Sequence, residues 1–350
     1  MSRVTGRTLR LRRRGVLSGR GGQPKVVALG GGMGLSASLT ALRRITGDLT
    51  AVVTVADDGG SSGRLRDELG ILPPGDLRKA LAALCGDDDW GRTWASVVQH
   101  RFAGEGDLQG HAVGNLLIAA LWEQLGDHVS ALDLVGKLLG AHGRVLPMSA
   151  VPLELQALVR GHDPAHPDAL STVRGQATVA LTPGEVQQVK VVPGDPPAVP
   201  EAVAAVLDAD WVVVGPGSWF SSVIPHLLVP ELLQALTETK ARRVLSLNLA
   251  PQPGETDGFS PQRHLEVLAR HAPKLAFDVV LADQDAVPDQ ESLREAARRF
   301  GGSVELASVA APGGADRSPP GGASDRHDPE LLAAAYDRIF RMHGRIGPWR

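Results

Sequence analysis

The sequence predicts an α/β fold with a doubly wound, mainly parallel sheet, helices on both faces and a small β-hairpin elaboration. Short apolar runs alternate with segments of helical periodicity, which is typical of successive βαβ units. Glycine-rich or polar loops follow several of these runs, as they do at the carboxyl edge of a Rossmann-like sheet. The 350 residues, of which 43% are apolar, are enough for one large core.

The first elements form a βαβ unit. Residues 25–29 and 50–55 are apolar runs, and residues 35–44 between them have helical periodicity. A right-handed crossover makes the two strands parallel. The loops that follow these strands, 30–36 and 57–63, are therefore expected at the same edge of the sheet.

The remaining elements continue this alternation. Asp76 ends the segment Pro73-Pro74-Gly75-Asp76 and is expected to cap a helix. Alternating residues across 174–192, with Thr182-Pro183-Gly184 between two runs, predict a hairpin outside the main sheet. Further strands are expected at 144–148, 210–214, 243–248 and 277–281, and helices at 77–84, 116–125, 229–236, 261–270 and from 327 onward.

We expect a single domain over residues 23–350, preceded by a disordered basic tail over residues 1–22. The tail carries seven arginines and no acidic residue, and it lacks the apolar stretch of a signal peptide. A solvated end is favoured over a contact with nucleic acid or anionic lipid. A flexible surface loop is predicted at 311–325, which is rich in Gly, Pro and Ser.

Composition and charge argue against several classes of protein. Cys85 is the single cysteine, so an internal disulfide is excluded and a reducing, cytoplasmic setting is expected. No apolar run approaches the roughly 20 residues that span a bilayer. The net charge of −3 argues against a nucleic-acid-binding body, because domains that follow a phosphate backbone usually carry an excess of positive charge.

A glycine loop, Gly30-Gly31-Gly32-Met33-Gly34-Leu35-Ser36, follows the first predicted strand. It is not a P-loop, because Leu35 rather than lysine follows Gly34, and its spacing is not the G-x-G-x-x-G of a dinucleotide site. Backbone amides, hydroxyl groups and arginine are therefore expected to bind phosphate groups here. ATP or GTP hydrolysis and a nicotinamide cofactor are both disfavoured.

Four predicted strand-to-helix loops carry Gly, Ser, Thr, Asp or Asn, at 30–36, 57–63, 215–222 and 248–258. In an open parallel sheet such loops meet at the carboxyl edge, where ligands bind. A glycine-rich turn alone more often serves the packing of a helix on a strand. The convergence of four such loops therefore carries the prediction of a site for a phosphorylated ligand.

Asp57 and Asp58 begin the second of these loops. They precede Gly59-Gly60-Ser61-Ser62-Gly63, a run that can form an anion-binding nest of amides. The two carboxylates suit ribose hydroxyls, or Mg²⁺ that bridges a diphosphate, and both are predicted metal ligands. The alternative is a pair of turn or helix caps without a ligand.

Several other residues keep two interpretations at this stage. Asp76, Thr256 and Asp257 are either helix caps or site residues. His111 is either a general acid or base, or a packed histidine. The candidates to stack on a uracil ring, each with core or loop packing as its alternative, are Trp219, Phe220 and Phe259.

Seven motifs together resemble those of a known family. They are Gly30-Gly31-Gly32-Met33-Gly34-Leu35-Ser36, Val55-Ala56-Asp57-Asp58-Gly59-Gly60-Ser61-Ser62-Gly63-Arg64-Leu65-Arg66, Leu72-Pro73-Pro74-Gly75-Asp76-Leu77-Arg78, His100-Arg101-Phe102, Gly110-His111-Ala112-Val113-Gly114-Asn115-Leu116, Gly215-Pro216-Gly217-Ser218 and Gln252-Pro253-Gly254-Glu255-Thr256-Asp257-Gly258. In this order they resemble the gluconeogenesis factor family, the YvcK-like proteins. The segment His327-Asp328-Pro329 is similar to the start of the family's last helix.

The resemblance implies a Rossmann-like fold shared with 2-phospho-L-lactate transferase, in the CofD-like superfamily. It also implies a cytoplasmic protein that binds a UDP-sugar, chiefly UDP-N-acetylglucosamine, and that regulates cell shape and the supply of cell-wall precursors during growth on gluconeogenic carbon sources. Pro251 departs from the family pattern, and so does the pair Trp219-Phe220, and each departure removes a hydroxyl contact. The predicted ligand-binding residues, from the loops and the resemblance together, are Gly30, Gly31, Gly32, Gly34, Leu35, Ser36, Asp57, Asp58, Ser61, Ser62, Asp76, Asn115, Gly215, Gly217, Ser218, Asn248, Gln252, Gly254, Thr256 and Asp257.

Two classes of function remain open. A binding regulator needs a site complementary to the nucleotide sugar and a surface that reports its occupancy to a protein partner, here expected in cell-envelope synthesis. A Mg²⁺-dependent phospho- or nucleotidyl-transferase also needs groups that stabilise the transition state. No catalytic residue is assigned, the regulator is favoured, and analogy with the fold's relatives allows a homodimer.

Overall fold

A computed structural model describes residues 23–312 and 326–344 of the chain. The predicted tail at 1–22 and residues 313–325 of the predicted loop lie outside the described residues. The strands, in chain order, are β1 (Lys25–Gly30), β2 (Asp48–Val53), β3 (Arg144–Pro147), β4 (Glu154–Arg160), β5 (Leu170–Arg174), β6 (Glu185–Val192), β7 (Trp211–Val214), β8 (Arg242–Ser246), β9 (Val279–Asp283) and β10 (Ser303–Ala307).

Twelve α-helices are present in the described part of the chain. They are α1 (Gly32–Leu42), α2 (Gly60–Leu69), α3 (Gly75–Ala83), α4 (Asp89–Gln99), α5 (Val113–Leu125), α6 (His128–Leu139), α7 (Gln176–Val179), α8 (Pro200–Asp208), α9 (Pro230–Glu238), α10 (Pro261–His271), α11 (Gln290–Arg299) and α12 (Pro329–His343). A π-helical turn at Trp219–Val223 and a 3₁₀ turn at Ile224–Leu228 connect β7 to α9.

The larger sheet confirms the predicted α/β fold. Its seven strands lie in the order β10-β9-β8-β7-β1-β2-β3, and every neighbouring pair is parallel. All four residues of β7 and all five of β9 are buried, so both faces of the sheet are covered at these strands. Continuous apolar runs, rather than alternation, are what a parallel sheet of this kind requires.

The smaller sheet corrects the predicted hairpin at 174–192. It is antiparallel with the order β5-β4-β6, so β6 pairs with β4 and not with the residues just before it. Residues 176–179 form the single turn α7 instead of a strand. The partner of β6 is decided by a strand that is distant in the sequence. β4 has buried Leu155, Ala157 and Val159 at alternating positions, and both β5 and β6 pair with it.

Three further helix predictions need correction. α1 begins at Gly32, three residues before the predicted start at 35, and α2 follows Asp57 and Asp58 where an open loop of amides was expected. Asp76 is not the cap of α3, because Pro74 occupies that position and Asp76 lies within the first turn. The Asp76 carboxylate accepts a hydrogen bond from the Lys79 side chain, so it is not used to cap the backbone.

The main core lies between the parallel sheet and its helices. Fully buried Leu29, Leu39 and Val52 join β1, β2 and α1, and Trp211 of β7 stacks on Phe340 of α12 with ring centroids 4.4 Å apart. Within residues 23–312 and 326–344, no helix combines the length and the apolarity that crossing a bilayer requires.

Candidate functional site

The strand order reverses between β1 and β7, and this reversal creates a crevice. From β1 the chain continues to β2 and β3 on one side, whereas β7 to β10 fill the other side. The loops after β1 and β7 therefore leave the same edge of the sheet side by side, and ligands of open α/β sheets bind at such a point. This is the convergence that the sequence predicted for 30–36 and 215–222.

The two loops approach so closely that one position between them has no room for a side chain. A Cβ added to Gly34 would collide with Pro216 O and would lie 2.6 Å from Gly217 Cα. Gly31 is similarly enclosed, since a Cβ there would lie 2.6 Å from Asp76 Oδ2 and 3.1 Å from Ser222 Oγ. Gly34 thus lets the backbone of Pro216 and Gly217 approach the start of α1, and Gly31 lets the Asp76 carboxylate approach it.

A cavity of about 540 Å³ opens at this crevice, and we call it the glycine cleft. This volume suits a small-molecule ligand of nucleotide size. The residues that line the glycine cleft are Gly31, Gly32, Met33, Gly34, Asp57, Asp76, Lys79, Gln176, Ala180, Pro216, Gly217, Ser218, Ser222, Asn248, Leu249, Ala250, Pro251, Gln252, Pro253, Glu255 and His327.

The helix α1 begins at one wall of the glycine cleft without a side-chain cap. Its N-cap residue is Gly31, and no side-chain hydrogen bond caps this end of the helix within the described part of the chain. Such a helix N-terminus combines free N–H donors with the positive end of the helix dipole. It can therefore accept an anionic group from a ligand.

Lys79 is a cleft residue that the sequence reasoning missed. Its Nζ lies 2.9 Å from Asp76 Oδ1, and the Lys79 side chain is 30% exposed while that of Asp76 is 4% exposed. The signal that could have found it is the spacing of three residues between Asp76 and Lys79, which places both on one face of α3. The cleft therefore contains a lysine, contrary to the expectation of amides, hydroxyls and arginine alone.

Asp57 and Asp58, although adjacent, face different surroundings. Asp57 lines the glycine cleft and its Oδ1 accepts a hydrogen bond from Gly59 N–H at 3.0 Å. Burial, together with the nearby charge of Asp76, raises the pKa of Asp57. Asp58 points away, and its Oδ1 accepts from Ala177 N–H at 2.9 Å, which holds α7 against the main sheet.

The α7 turn brings the small sheet to the glycine cleft. Gln176 and Ala180 line the cleft, and Gln176 Oε1 is buried without a hydrogen-bond partner among the described residues. A side-chain acceptor left in this way is costly unless a ligand or water satisfies it. Neither residue was predicted, because the hairpin prediction assigned this segment to a strand.

The opposite wall is braced by hydrogen bonds between two loops. Asn248 Oδ1 accepts from Gly217 N–H at 2.9 Å, and Asn248 Nδ2 donates to Gly217 O at 2.9 Å. Gln252 Oε1 accepts from Trp219 N–H at 3.2 Å, and Gln252 Nε2 donates to Ser218 Oγ at 3.2 Å. Asn248 and Gln252 therefore fix the position of the loop after β7.

Two titratable groups of this wall were not among the predicted site residues. Glu255 is 5% exposed and accepts from Phe220 N–H at 3.1 Å and Ser221 O–H at 2.5 Å. Burial raises the pKa of this carboxyl group. Burial lowers the pKa of His327 to about 4, and its Nε2 has no hydrogen-bond partner in the described part of the chain.

Nine of the twenty predicted residues meet in the glycine cleft, and they are Gly31, Gly32, Gly34, Asp57, Asp76, Gly217, Ser218, Asn248 and Gln252. The eleven that lie outside its lining are Gly30, Leu35, Ser36, Asp58, Ser61, Ser62, Asn115, Gly215, Gly254, Thr256 and Asp257. Several of these brace the fold: Leu35 is a core residue, Thr256 Oγ1 accepts from Gln252 N–H, and Asp257 Oδ2 accepts from Gly254 N–H.

The aromatic candidates for a nucleobase pack in the interior instead. Trp219 and Phe220 are fully buried, and neither lines the glycine cleft. Phe259 packs against this core with its ring centroid 6.1 Å from that of Phe220. Among the residues of the cleft lining, Met33 is an exposed large apolar side chain, at 66%.

His111 has a partner that could not be identified from the sequence. Its Nδ1 lies 3.1 Å from Ser61 Oγ, and both residues are buried. Ser61 Oγ also accepts from Asn115 Nδ2 at 3.0 Å and from Ala112 N–H at 3.3 Å. Ser61 and Asn115, both predicted site residues, therefore belong to one network with His111 beside the glycine cleft.

Comparison with known proteins covers nearly the whole described chain. Residues 26–308 match the family profile described as 2-phospho-L-lactate transferase CofD. A Mycobacterium leprae protein, provisionally named a gluconeogenesis factor, is 53% identical over 322 residues, which cover 91% of this chain and 87% of the relative. A Listeria innocua protein named gluconeogenesis factor is 38% identical over 268 residues, which cover 77% of this chain and 80% of the relative.

A solved structure shares the fold. A crystal structure of a UPF0052-family protein from Bacillus halodurans superposes with a TM-score of 0.77 at 31% identity, and the match covers 90% of this chain and 99% of that one. The matched range of the family profile contains both loops of the crevice, Lys79 and the small sheet. It ends before His327 and α12.

Proposed function

This chain belongs to the CofD family of 2-phospho-L-lactate transferase, and from that premise we propose that its glycine cleft binds the diphosphate of a nucleotide sugar. Its relatives named gluconeogenesis factor make it a YvcK-like member of that family. The observation that carries the proposal is the meeting of the loops after β1 and β7 at the strand-order reversal, with the uncapped start of α1 between them.

The cleft offers both kinds of donor that a diphosphate uses. Amide groups at the N-terminus of α1 bind phosphate oxygens without sequence-specific side chains. Lys79 adds a positive charge on a flexible stem within the same lining. Met33, Leu249 and Pro251 contribute apolar surface, which suits the base or the acetyl group of a UDP-N-acetylglucosamine-type ligand.

The carboxylates of the cleft suggest a divalent cation. Asp57 and Asp76 would repel a bare diphosphate, and each feels the charge of the other. Mg²⁺ typically binds one or two carboxylates and completes its shell with phosphate oxygens and water. We therefore propose that Asp57 and Asp76, rather than Asp57 and Asp58, would hold it; no group of three candidate ligands occurs in the described residues.

We favour a regulator that binds this ligand and reports it to a protein partner. The carboxylate of Glu255 in the cleft is already engaged, since it accepts hydrogen bonds from Phe220 N–H and Ser221 O–H. In the cell this proposal corresponds to a cytoplasmic protein that adjusts cell shape and the supply of envelope precursors during gluconeogenic growth.

A transferase is the second candidate, and two observations favour it. The family profile itself describes a transferase. Burial lowers the pKa of His327, so its imidazole is uncharged near neutral pH; His327 belongs to the cleft lining, and its buried Nε2 has no hydrogen-bond partner among the described residues. A neutral imidazole of this kind can accept a proton from an acceptor hydroxyl group.

Titration calorimetry tests the binding proposal. UDP-N-acetylglucosamine should bind more tightly with Mg²⁺ than without it, and NAD should bind weakly or not at all. Lys79→Gln should weaken binding about tenfold, which corresponds to ~1.4 kcal/mol. Lys190→Gln, on the small sheet and outside the cleft lining, serves as the control. Equal affinity in all three proteins would contradict a diphosphate site beside Lys79.

A turnover assay separates the two candidates. The protein is incubated with labelled UDP-N-acetylglucosamine and candidate acceptors, and the release of UDP or UMP is followed. The regulator predicts no steady release. Release that is lost in Asp57→Asn and in His327→Asn would establish the transferase instead.

A further inference from the structure

A second depression lies beside the glycine cleft and is lined by different side chains. It has a volume of about 620 Å³, and we call it the arginine depression. Its lining consists of Asp58, Gly60, Ser61, Gly63, Arg64, Asp67, Arg101, Gln109 and Gly110. None of these residues lines the glycine cleft.

Two arginines of this depression converge on one turn of the chain. Arg64 Nη2 donates to Gln109 O at 2.5 Å, and Arg101 Nη1 donates to Gly110 O at 2.7 Å. Both guanidinium groups are thus anchored to consecutive carbonyl groups of the same turn. Neither forms an ion pair with a carboxylate in the described part of the chain.

A third arginine is buried behind them. Arg78 is 3% exposed, and its stem packs on the first turn of α5, where a Cβ at Gly114 would lie 2.8 Å from Arg78 Cγ. Its Nε has no hydrogen-bond partner among the residues described. Burial, and next the charge of Arg101, lower the pKa of Arg78. The charges of Asp76 and Asp57 act in the opposite direction, so Arg78 lies between the arginine depression and the carboxylates of the glycine cleft.

The network of Ser61 adds a directed donor. Ser61 Oγ accepts from Asn115 Nδ2 and Ala112 N–H, so its hydroxyl proton is free to be donated to His111 Nδ1. His111 then carries its ring proton on Nε2, which is not used in the hydrogen bond to Ser61. Asn115 Oδ1 is also buried and unpartnered within residues 23–312 and 326–344.

The carboxylates of the depression do not neutralise this cluster. Asp58 uses one oxygen to hold Ala177 N–H, and Asp67 forms no ion pair with an arginine in the described residues. The charges of Arg64 and Arg101 reach His111, since both lower its pKa after the larger effect of burial. Glu68 acts in the opposite direction, so two arginines and one carboxylate are within electrostatic reach of His111.

We propose that the arginine depression is a second ligand site, which binds the phosphate group of a phosphorylated small molecule independently of the glycine cleft. Guanidinium groups bind phosphate oxygens in pairs of parallel hydrogen bonds, and a dianion matches several gathered cations better than a carboxylate does. Arg64 and Arg101 of the lining supply the exposed contacts, and His111 Nε2–H supplies a further donor.

Calorimetry with inorganic phosphate and glucose 6-phosphate, at ionic strength matched with sodium chloride, tests this site. Arg64→Gln and Arg101→Gln should each weaken binding at least tenfold, and Arg101→Lys less than that. Arg160→Gln is the matched control, because Arg160 is exposed, has no ion pair among the described residues, and donates to a backbone carbonyl, Asp168 O, at 3.2 Å. It should bind phosphate like the wild type.

A nuclear magnetic resonance measurement identifies the bound position. Phosphate should shift the ring signal of His111, which is assigned by its loss in His111→Asn. Equal phosphate affinity in Arg101→Gln and Arg160→Gln would overturn the proposal. So would an affinity lost in Lys79→Gln and kept in Arg101→Gln, since that result places the anion in the glycine cleft.

Discussion

The glycine cleft and the arginine depression lie on either side of two consecutive residues, yet they differ in chemistry. Asp57 faces the cleft, where backbone amides, carboxylates and one lysine come together. Asp58 faces the depression, where arginine side chains dominate. The cleft is created by sheet topology, and the depression by the packing of α2 against the segment before α5. Neighbouring sites in one chain can thus have independent origins.

The difference also concerns what each site needs before an anion can bind. The cleft contains the carboxylates of Asp57 and Asp76, so under the proposed function a divalent cation would strengthen the binding of an anion there. The depression has arginines that form no ion pair with a carboxylate among the described residues. Under our proposal the anion would pair with these arginines directly and would need no cation. The predictions below separate these two electrostatic situations.

The largest expected effect concerns the imidazole group of His327 in the glycine cleft. Burial lowers the pKa of His327 to about 4, so the unfolded chain takes up a proton below about pH 6.5 while the folded protein does not. The free energy of unfolding should therefore fall between pH 6.5 and pH 4, with His327 contributing up to roughly 3 kcal/mol. Urea titrations across this range measure the slope.

His327→Asn isolates this contribution. The variant should show a smaller decline in unfolding free energy than the wild type, with the difference appearing only below about pH 6.5. If the unfolding free energy depends on pH in the same way in both proteins, His327 is protonated in the folded state. The glycine cleft would then contain no neutral imidazole.

A second prediction tests the close approach of the cleft loops. Gly34→Ala should destabilise the protein by about 1–3 kcal/mol, because the new Cβ collides with Pro216 O and separates the two walls. Gly32→Ala is the control: it has open space around its Cβ and is strained only by its φ of +59°, at a cost of about 1 kcal/mol. Urea unfolding compares the stabilities.

Ligand binding distinguishes these two glycine variants further. Gly34→Ala should lose affinity for UDP-N-acetylglucosamine by more than tenfold, while Gly32→Ala should lose less. If the order is reversed, the start of α1 rather than the approach of Pro216 controls the cleft.

A third prediction contrasts the two aspartates directly. Asp57→Asn should remove most of the Mg²⁺ dependence of nucleotide-sugar binding, and Asp58→Asn should leave that dependence in place. Asp58→Ala should instead free the amide of Ala177, at a cost of about 1 kcal/mol. Hydrogen exchange at Ala177, followed by mass spectrometry, should accelerate in Asp58→Ala and stay unchanged in Asp57→Asn.

The smallest expected effect is the loss of the ion pair in the cleft. Lys79→Met should change the unfolding free energy by less than about 1 kcal/mol, because Lys79 is partly exposed and such pairs contribute little. Its effect on ligand affinity should be larger than its effect on stability. A loss of several kcal/mol in thermal unfolding would mean that Lys79 is chiefly a structural partner of Asp76.

Particular elements show how far sequence reasoning reaches in this chain. The strands that precede the loops at Gly30 and Gly215 could be predicted because a buried parallel strand is a local apolar run. The parallel sheet then fixes where the loops after these strands lie. β6 was assigned the wrong partner because pairing with β4 depends on residues far away in the chain. Gln176 could not be placed in the site for the same reason.

Side-chain partners were the least predictable part of the site. The spacing of Asp76 and Lys79 is local and is present in the sequence, but only Asp76 was considered there, as a helix cap or a site residue. The contact of Ser61 with His111 joins two separate helix starts, and no spacing rule connects them. The divergence of Asp57 and Asp58 depends on where α7 packs, which again follows from the small sheet.

The position of β7 between β1 and β8 has a consequence for synthesis on the ribosome. A nascent chain that ends before Gly215 already contains the first glycine loop, Asp57 and Lys79, but it has no opposing wall. The second wall can form only after β7 has inserted beside β1. A chain truncated before Gly215 therefore lacks the crevice between the two loops.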